Sequence, residues 1–212
     1  QVKAIIITGS GLKAFNVGAD IDWLEGLDSD RAREVSRKGN RICNLIEGSP
    51  KVVIATVNGY ALGGGMELAL ACDIRIASTR ARFGQPEVGL GIVPGFAGTQ
   101  RLPQLIGIGR AKEMLFTGEI IDAEHAYEIG LVNRLVTPRD LLKESRDLAL
   151  KISEQSQEAV RLIKNSINRG QQAGKEAGIE YEREAFAGCF KSREHLERIR
   201  RLRKELNSSK MG

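Results

Sequence analysis

An α/β body followed by a helical C-terminal region is the fold class that this sequence predicts, and three observations predict it. Short apolar runs rich in β-branched residues, Val2–Thr8 and Lys51–Val57, alternate with segments of helical periodicity, a pattern of strands buried between helices. Glycine, proline and asparagine punctuate the ends of those runs, as at Gly48-Ser49-Pro50 and Asn58-Gly59. From Pro138 onward the pattern is helical almost throughout. The chain is accordingly divided into a core, residues 1–137, and a helical C-terminal region, 138–212.

Taken in order, Val2–Thr8 reads as a buried strand that starts almost at residue 1, so an N-terminal part of the body is expected to precede it. Residues 9–18 read as a loop. Asp28 or Ser29 can cap a helix running to about Ile46, and Lys51–Val57 reads as a second buried strand. Gly63-Gly64-Gly65 opens a helix through about Cys72. Ile74–Ala77 and Ala81–Phe83 read as short strands, and Gln85–Gly98 as a loop punctuated by glycine and proline. Helices are expected near Gly98–Ile106, Gly109–Phe116 and Ala123–Ile129, with a short strand at Val132–Val136.

Composition narrows the function classes. At 212 residues with 42% hydrophobic and 28% charged residues, the chain can bury a core and is not a disordered protein. Its longest apolar run, Ala61–Cys72, carries Glu67 in its middle and falls short of the roughly 20 residues that span a bilayer. No secretory signal opens the chain; a cytoplasmic protein, or the mature form of an organelle enzyme, is expected. Cys43, Cys72 and Cys189 are odd in number and far apart, which suits reduced thiols. His125 and His195 lie far apart without Cys or carboxylate partners at zinc spacing, so no metal is expected. The net charge of +5 is local: residues 191–212 hold eight Lys or Arg and three Glu, leaving 24 of each sign elsewhere. A neutral body argues against a diffuse nucleic-acid surface.

Chemistry concentrates in three stretches. In Tyr60–Asp73 a strand feeds a triple glycine and the glycines feed a helix. The first turn of a helix presents unpaired N–H groups at the positive end of its dipole, and glycine lets another molecule approach them. The stretch therefore reads either as an oxyanion-binding turn around Gly64 or as a tight packing turn. Glu67 sits one turn into that helix among Met66, Leu68, Ala69, Leu70, Ala71 and Cys72. Such a carboxylate is either a general acid/base in a dry site or a partner of the helix dipole. The second stretch, Phe83–Gly98, places Glu87 after Pro86 among Val88, Leu90, Ile92 and Val93; two carboxyls in two apolar settings make a candidate acid/base pair. Gly95 and Gly98 leave room for substrate or an ordered water. In the third, Lys13–Ile21, Gly18 can aim the Ala19 N–H outward, or Gly18-Ala19-Asp20 can simply cap a short helix.

These stretches, in this order and spacing, resemble the crotonase superfamily, the enoyl-CoA hydratase/isomerase family. The shared text is Ala-Ile-Ile-Ile-Thr-Gly (4–9), Lys-Ala-Phe-x-x-Gly-Ala-Asp-Ile (13–21), Asn-Gly-Tyr-Ala-Leu-Gly-Gly-Gly-x-Glu-Leu-Ala-Leu-Ala-Cys-Asp-Ile-Arg (58–75) and Phe-Gly-Gln-Pro-Glu-Val-x-Leu-Gly-Ile-Val-Pro-Gly-x-x-Gly-Thr-Gln-Arg-Leu (83–102). The resemblance implies a spiral of ββα units with a helical C-terminal trimerisation region, assembled as a homo-trimer or hexamer. It implies an acyl-CoA thioester as substrate, with coenzyme A part of that substrate and no separate cofactor, and no membrane partner. Ala19 and Gly64 match the oxyanion-hole amides, Glu67 and Glu87 the two glutamates of hydratases, and Gly95 a water-positioning glycine. Lys13, Val17, Asp20, Ile21, Asp22, Trp23 and Phe96 fall at substrate-binding positions, Asp22 where many relatives carry a CoA-holding lysine. The implied activity is hydration of a 2-enoyl-CoA. The alternatives are an isomerase using Glu87 alone, or a hydratase whose basic tail, Lys191–Leu206, binds RNA. Leu196, Ile199, Leu202 and Leu206 make that tail an expected amphipathic helix.

Overall fold

The strands form two small sheets between which the chain passes back and forth. The structure, a computed structural model, describes residues 2–208. Its elements are β1 (Ala4–Thr8), β2 (Ala14–Asn16), α1 (Ile21–Glu25), α2 (Ser29–Glu47), β3 (Val52–Val57), β4 (Tyr60–Leu62), α3 (Gly64–Ala71), β5 (Ile74–Ser78) and β6 (Arg82–Gly84). A 3-10 helix (Pro86–Leu90) follows, then α4 (Gly98–Ile106), α5 (Ile108–Thr117), β7 (Ile120–Asp122), α6 (Ala123–Glu128), β8 (Arg134–Val136), α7 (Leu141–Ser153), α8 (Gln157–Ala173), α9 (Lys175–Cys189) and α10 (Glu194–Ser208). One sheet has the order β1-β3-β5-β8, all parallel. The other runs β2-β4-β6-β7, parallel except for the last pair. The first three turns of chain thus each lay one strand in each sheet and then a helix, a spiral of ββα units, and the last places α6 between β7 and β8.

The switch between sheets explains the Asn58-Gly59 signal. The pair is not a hairpin; it carries the chain from β3 into β4. Asn58 Oδ1 accepts from Gly9 N at 3.1 Å, and its Nδ2 donates to the carbonyls of Gly11 and Ala14, both at 3.0 Å. One side chain therefore ties together the first two crossings between the sheets, β1 to β2 and β3 to β4. A Cβ on Gly59 would lie 2.1 Å from the Lys13 carbonyl oxygen, so only glycine fits there. β3 is buried at all six positions, as expected of a central parallel strand covered on both faces.

Two features inside expected loops differ from the sequence reading. Residues 9–18 contain β2, and the Gln85–Gly98 loop contains the 3-10 helix. The strand β1 begins at Ala4, two residues later than read.

By compactness the chain divides into two units, 1–152 and 153–212. The helical region expected from residue 138 thus begins within the first unit. There α7 buries Leu141 and Leu148, and Ser145 Oγ accepts from Thr56 Oγ1 of β3 at 2.7 Å. In the second unit α8 and α9 approach closely at Gly170 and Gly178, where a Cβ on Gly178 would meet Gly170 Cα at 2.8 Å. α10 exposes Leu196, Ile199, Leu202 and Leu206 together with its basic residues, the amphipathic pattern read from the sequence. No helix among the described residues is long and apolar enough to cross a membrane.

Candidate active site

The triple glycine is a close-approach device, and each glycine is needed for a separate reason. Gly63 takes φ 52° and ψ −127°, a region that side chains avoid, and so turns the chain out of β4 into α3. A Cβ on Gly65 would meet the Asn16 carbonyl oxygen at 1.9 Å, which lets β2 run against the start of the helix. Gly64 lets the Phe96 ring lie against the first turn, where a Cβ would meet it at 2.8 Å. Gly18, at φ 86°, brings its own loop to the same place: a Cβ on it would stand 3.2 Å from Gly64 N. Asn16 Oδ1 accepts from Gly18 N at 2.8 Å and holds that turn. The Gly18–Ala19 and Gly63–Gly64 backbones, 45 positions apart in sequence, are thereby neighbours.

Glu67 is 1% exposed, on the first turn of a helix that is otherwise apolar. Its Oε1 accepts from Gly98 N at 2.6 Å and Phe96 N at 2.8 Å. Burial raises its proton affinity; the Gly98 and Phe96 amides, the Arg101 guanidinium and the Gly95 amide oppose that rise without cancelling it. The loop that donates these amides is strained, with Ala97 in the left-handed region at φ 69°.

Glu87, on the 3-10 helix, is 8% exposed, and its Oε2 has no hydrogen-bond partner. Burial pushes its carboxyl up to about 7, with the nearby Glu67 charge adding to the rise. A Cβ on Gly63 would lie 3.2 Å from Glu87 Oε1, so this carboxyl stands directly beside the glycine turn.

Of the positions expected to bind substrate, Val17, Ile21 and Trp23 are exposed apolar residues around α1, and Asp22 and Lys13 are exposed. The Asp20 carboxylate is engaged locally, accepting from Trp23 N at 3.1 Å as the cap of α1. Phe96 is wedged: a Cβ on Gly39 of α2 would meet its ring at 2.0 Å, and one on Gly64 at 2.8 Å. Gly95 contributes its carbonyl, which accepts from Ser36 Oγ and Asn40 Nδ2.

Sequence reading passed over several residues that the fold gathers here. Gln85 is 1% exposed, donates to the Gly63 carbonyl at 3.3 Å and leaves its Oε1 unpartnered. Arg101 donates to the Phe96 carbonyl, Asn44 Oδ1 and Glu47 Oε2 at 2.7 to 2.9 Å. Ser36, Asn40, Asn44 and Glu47 recur at helical spacing on α2, a period visible in the sequence, but nothing local distinguishes that stripe from a solvent-facing one.

A family model described as enoyl-CoA hydratase/isomerase matches residues 1–204. The chain is 50% identical to a crotonyl-CoA hydratase of Syntrophomonas wolfei over 92% of its length and 75% of that relative's. It is 49% identical to a short-chain-enoyl-CoA hydratase of Clostridium acetobutylicum over 90% of its length and 73% of the relative's. Its structure superposes on the crystal structure of an enoyl-CoA hydratase from Bacillus anthracis with a TM-score of 0.92 at 40% identity, covering 96% of this chain and 79% of that one.

Proposed function

The chain belongs to the enoyl-CoA hydratase/isomerase family, and from that premise we propose that it is a hydro-lyase that adds water reversibly across the double bond of a short 2-enoyl-CoA, forming a 3-hydroxyacyl-CoA. The relatives named for crotonyl-CoA and for short-chain substrates support the short acyl chain. The reaction so written uses no cofactor beyond the coenzyme A of the substrate.

The thioester oxygen accepts from the N–H groups of Ala19 and Gly64. Water attacks Cβ while Glu67 removes its proton, the double-bond electrons move onto the thioester as an enolate, and Glu87 delivers a proton to Cα. Charge grows on the thioester oxygen only as the transition state forms, so amides fixed in advance favour that state over the substrate. The observation that carries the assignment is the contrast between the carboxyls. Glu67 is bonded through two amides as a carboxylate acceptor, whereas Glu87 has a free oxygen and a proton affinity near neutrality. Gly95 helps place the water. Val17, Ile21, Trp23 and Phe96 flank the acyl and pantetheine path, Asp20 and Asp22 border it, and Lys13 serves the phosphates.

Mixing the protein with crotonyl-CoA should bleach the enoyl-thioester ultraviolet band, and Glu87→Gln should nearly abolish the bleaching. Full activity in that variant would refute the assignment. We also read the protein as a trimer or a dimer of trimers in the cytoplasm. Exposed Ile163, Ile167, Ile179 and Phe186 on α8 and α9 support the first statement, and Cys43, Cys72 and Cys189, none of them in a disulfide, suit the second; sizing in solution tests the assembly.

A further inference from the structure

We propose that Ser36 and Asn40 are positioning residues for Glu67, acting through the one peptide group that joins Gly95 to Phe96. The oxygen end of that peptide accepts from Ser36 Oγ at 2.6 Å and from Asn40 Nδ2 at 2.9 Å. Its N–H end donates to Glu67 Oε1 at 2.8 Å. Donors on a carbonyl polarise the amide and strengthen the bond its N–H makes. The other amide on Glu67, Gly98 N, belongs to a peptide held in the same way: the Ala97 carbonyl accepts from the N–H groups of Gln100 and Arg101 at 3.1 and 3.0 Å. That second peptide is secured by the first turn of α4, a backbone device. The first depends on side chains of α2.

The Gly95–Phe96 peptide needs such an anchor. Gly95 has no Cβ and one would meet nothing within 4 Å, so sterics do not restrain its ψ. A flip of this peptide would turn its carbonyl toward Glu67 and replace an attraction with a repulsion. Two donors on the oxygen end oppose the flip. Asn40 Nδ2 also donates to the Ser36 carbonyl at 2.9 Å, which ties the pair into one unit on α2. One turn further along, the Cys43 thiol points to the Glu67 carbonyl at 3.8 Å, so this face of α2 follows the glutamate closely.

The inference rests on the hydratase reading, in which Glu67 must be charged to take the proton of water. The charged and titratable groups around Glu67 are Cys43 and Glu47 of α2, Arg101 of α4 and Glu87 of the 3-10 helix. Substituting Ser36 or Asn40 by alanine alters none of them, so a change in the proton affinity of Glu67 is attributable to the peptide.

The test is the pH dependence of crotonyl-CoA hydration by the full chain, with Ser36→Ala, Asn40→Ala, the double variant and the conservative Ser36→Thr. In the double variant kcat should fall about tenfold to a hundredfold, with KM changed far less. The acidic limb of kcat should move to higher pH by about half a unit or more, because a carboxylate that loses hydrogen-bond support holds its proton more tightly. Ser36→Thr should restore both. Ser36→Ala removes one oxygen from a half-buried helix position, and it carries the test alone if Asn40 variants melt. Variants that fold and keep the wild-type limb overturn the inference, as does a fall in kcat with an unmoved limb, which marks a merely structural role. Wild-type protein that fails to hydrate crotonyl-CoA refutes the hydratase reading itself, a result distinct from either.

Discussion

Glu67 rises from the first turn of a regular helix and Glu87 from a single turn of 3-10 helix, and the surroundings of the two carboxyls differ more than their burial does. Around Glu67 the protein has brought donors: two loop amides on one oxygen and the Arg101 guanidinium nearby. Around Glu87 it has brought almost none, and one oxygen is left without a partner. Both sites lift the proton affinity by excluding water; around Glu67 several loop amides and a guanidinium oppose that rise, around Glu87 only its own backbone amide does. In the proposed reaction these two identical side chains take different halves of one proton transfer, and what is placed around each supports that division.

The contrast can be broken by removing either carboxyl. Glu87→Gln should lower kcat/KM for crotonyl-CoA hydration by about a thousandfold, and Glu67→Gln by a similar factor. Isomerisation of a 3-enoyl-CoA, which needs one acid/base beside the enolate, should survive Glu67→Gln within about tenfold and fail in Glu87→Gln. Equal loss of both reactions in both variants would erase the division of labour.

A smaller effect comes from the loop that distinguishes the sites. A Cβ on Gly98 would stand 2.4 Å from Gln85 Oε1 and 2.9 Å from Glu67 Oε1. Gly98→Ala should therefore cost about a hundredfold in hydration by shifting the amides off Glu67, while circular dichroism stays native. Unchanged kinetics would mean that the loop relaxes freely.

The pH profile sharpens the comparison further. In the proposed reaction Glu87 begins protonated, so hydration should decline on the alkaline side with an apparent pKa of about 7; an alkaline limb that persists in Glu87→Gln would assign it elsewhere. Stability carries the same sign. Below the ordinary carboxyl pKa of 4.5 Glu87 is neutral both folded and unfolded. As pH rises toward 7 the unfolded chain ionises first and the folded state loses ground, a loss complete above 7. Glu87→Gln should therefore melt a few degrees higher than the parent at pH 8, with the gap closing toward pH 4.5. A constant gap across pH would show that packing, not ionisation, separates the two proteins.

Much of this arrangement could be read in the residues. The apolar setting of Glu67 and Glu87, the glycines before α3 and the cap at Asp28 all act within one turn of chain, and each appears in the structure where local chemistry puts it. The three-residue strands β2 and β7 were not readable, because each is defined by its neighbours in the sheet rather than by an alternation of its own. Nor was the use of α2. Its Ser36, Asn40 and Asn44 look like solvent-facing polar residues until the Gly95–Arg101 loop is laid against them.

By itself, then, the sequence determined the alternation of strand and helix, the two buried acids and the glycine turn, since periodicity, burial and backbone freedom are local properties. Tertiary structure decided which partners those acids have. The amides on Glu67 come from residues 29 and 31 positions away. The brace behind one of them comes from 55 and 59 positions before the loop. Hydrogen bonds across such separations exist only once the two sheets have set the spacing of the helices, so no local pattern records them.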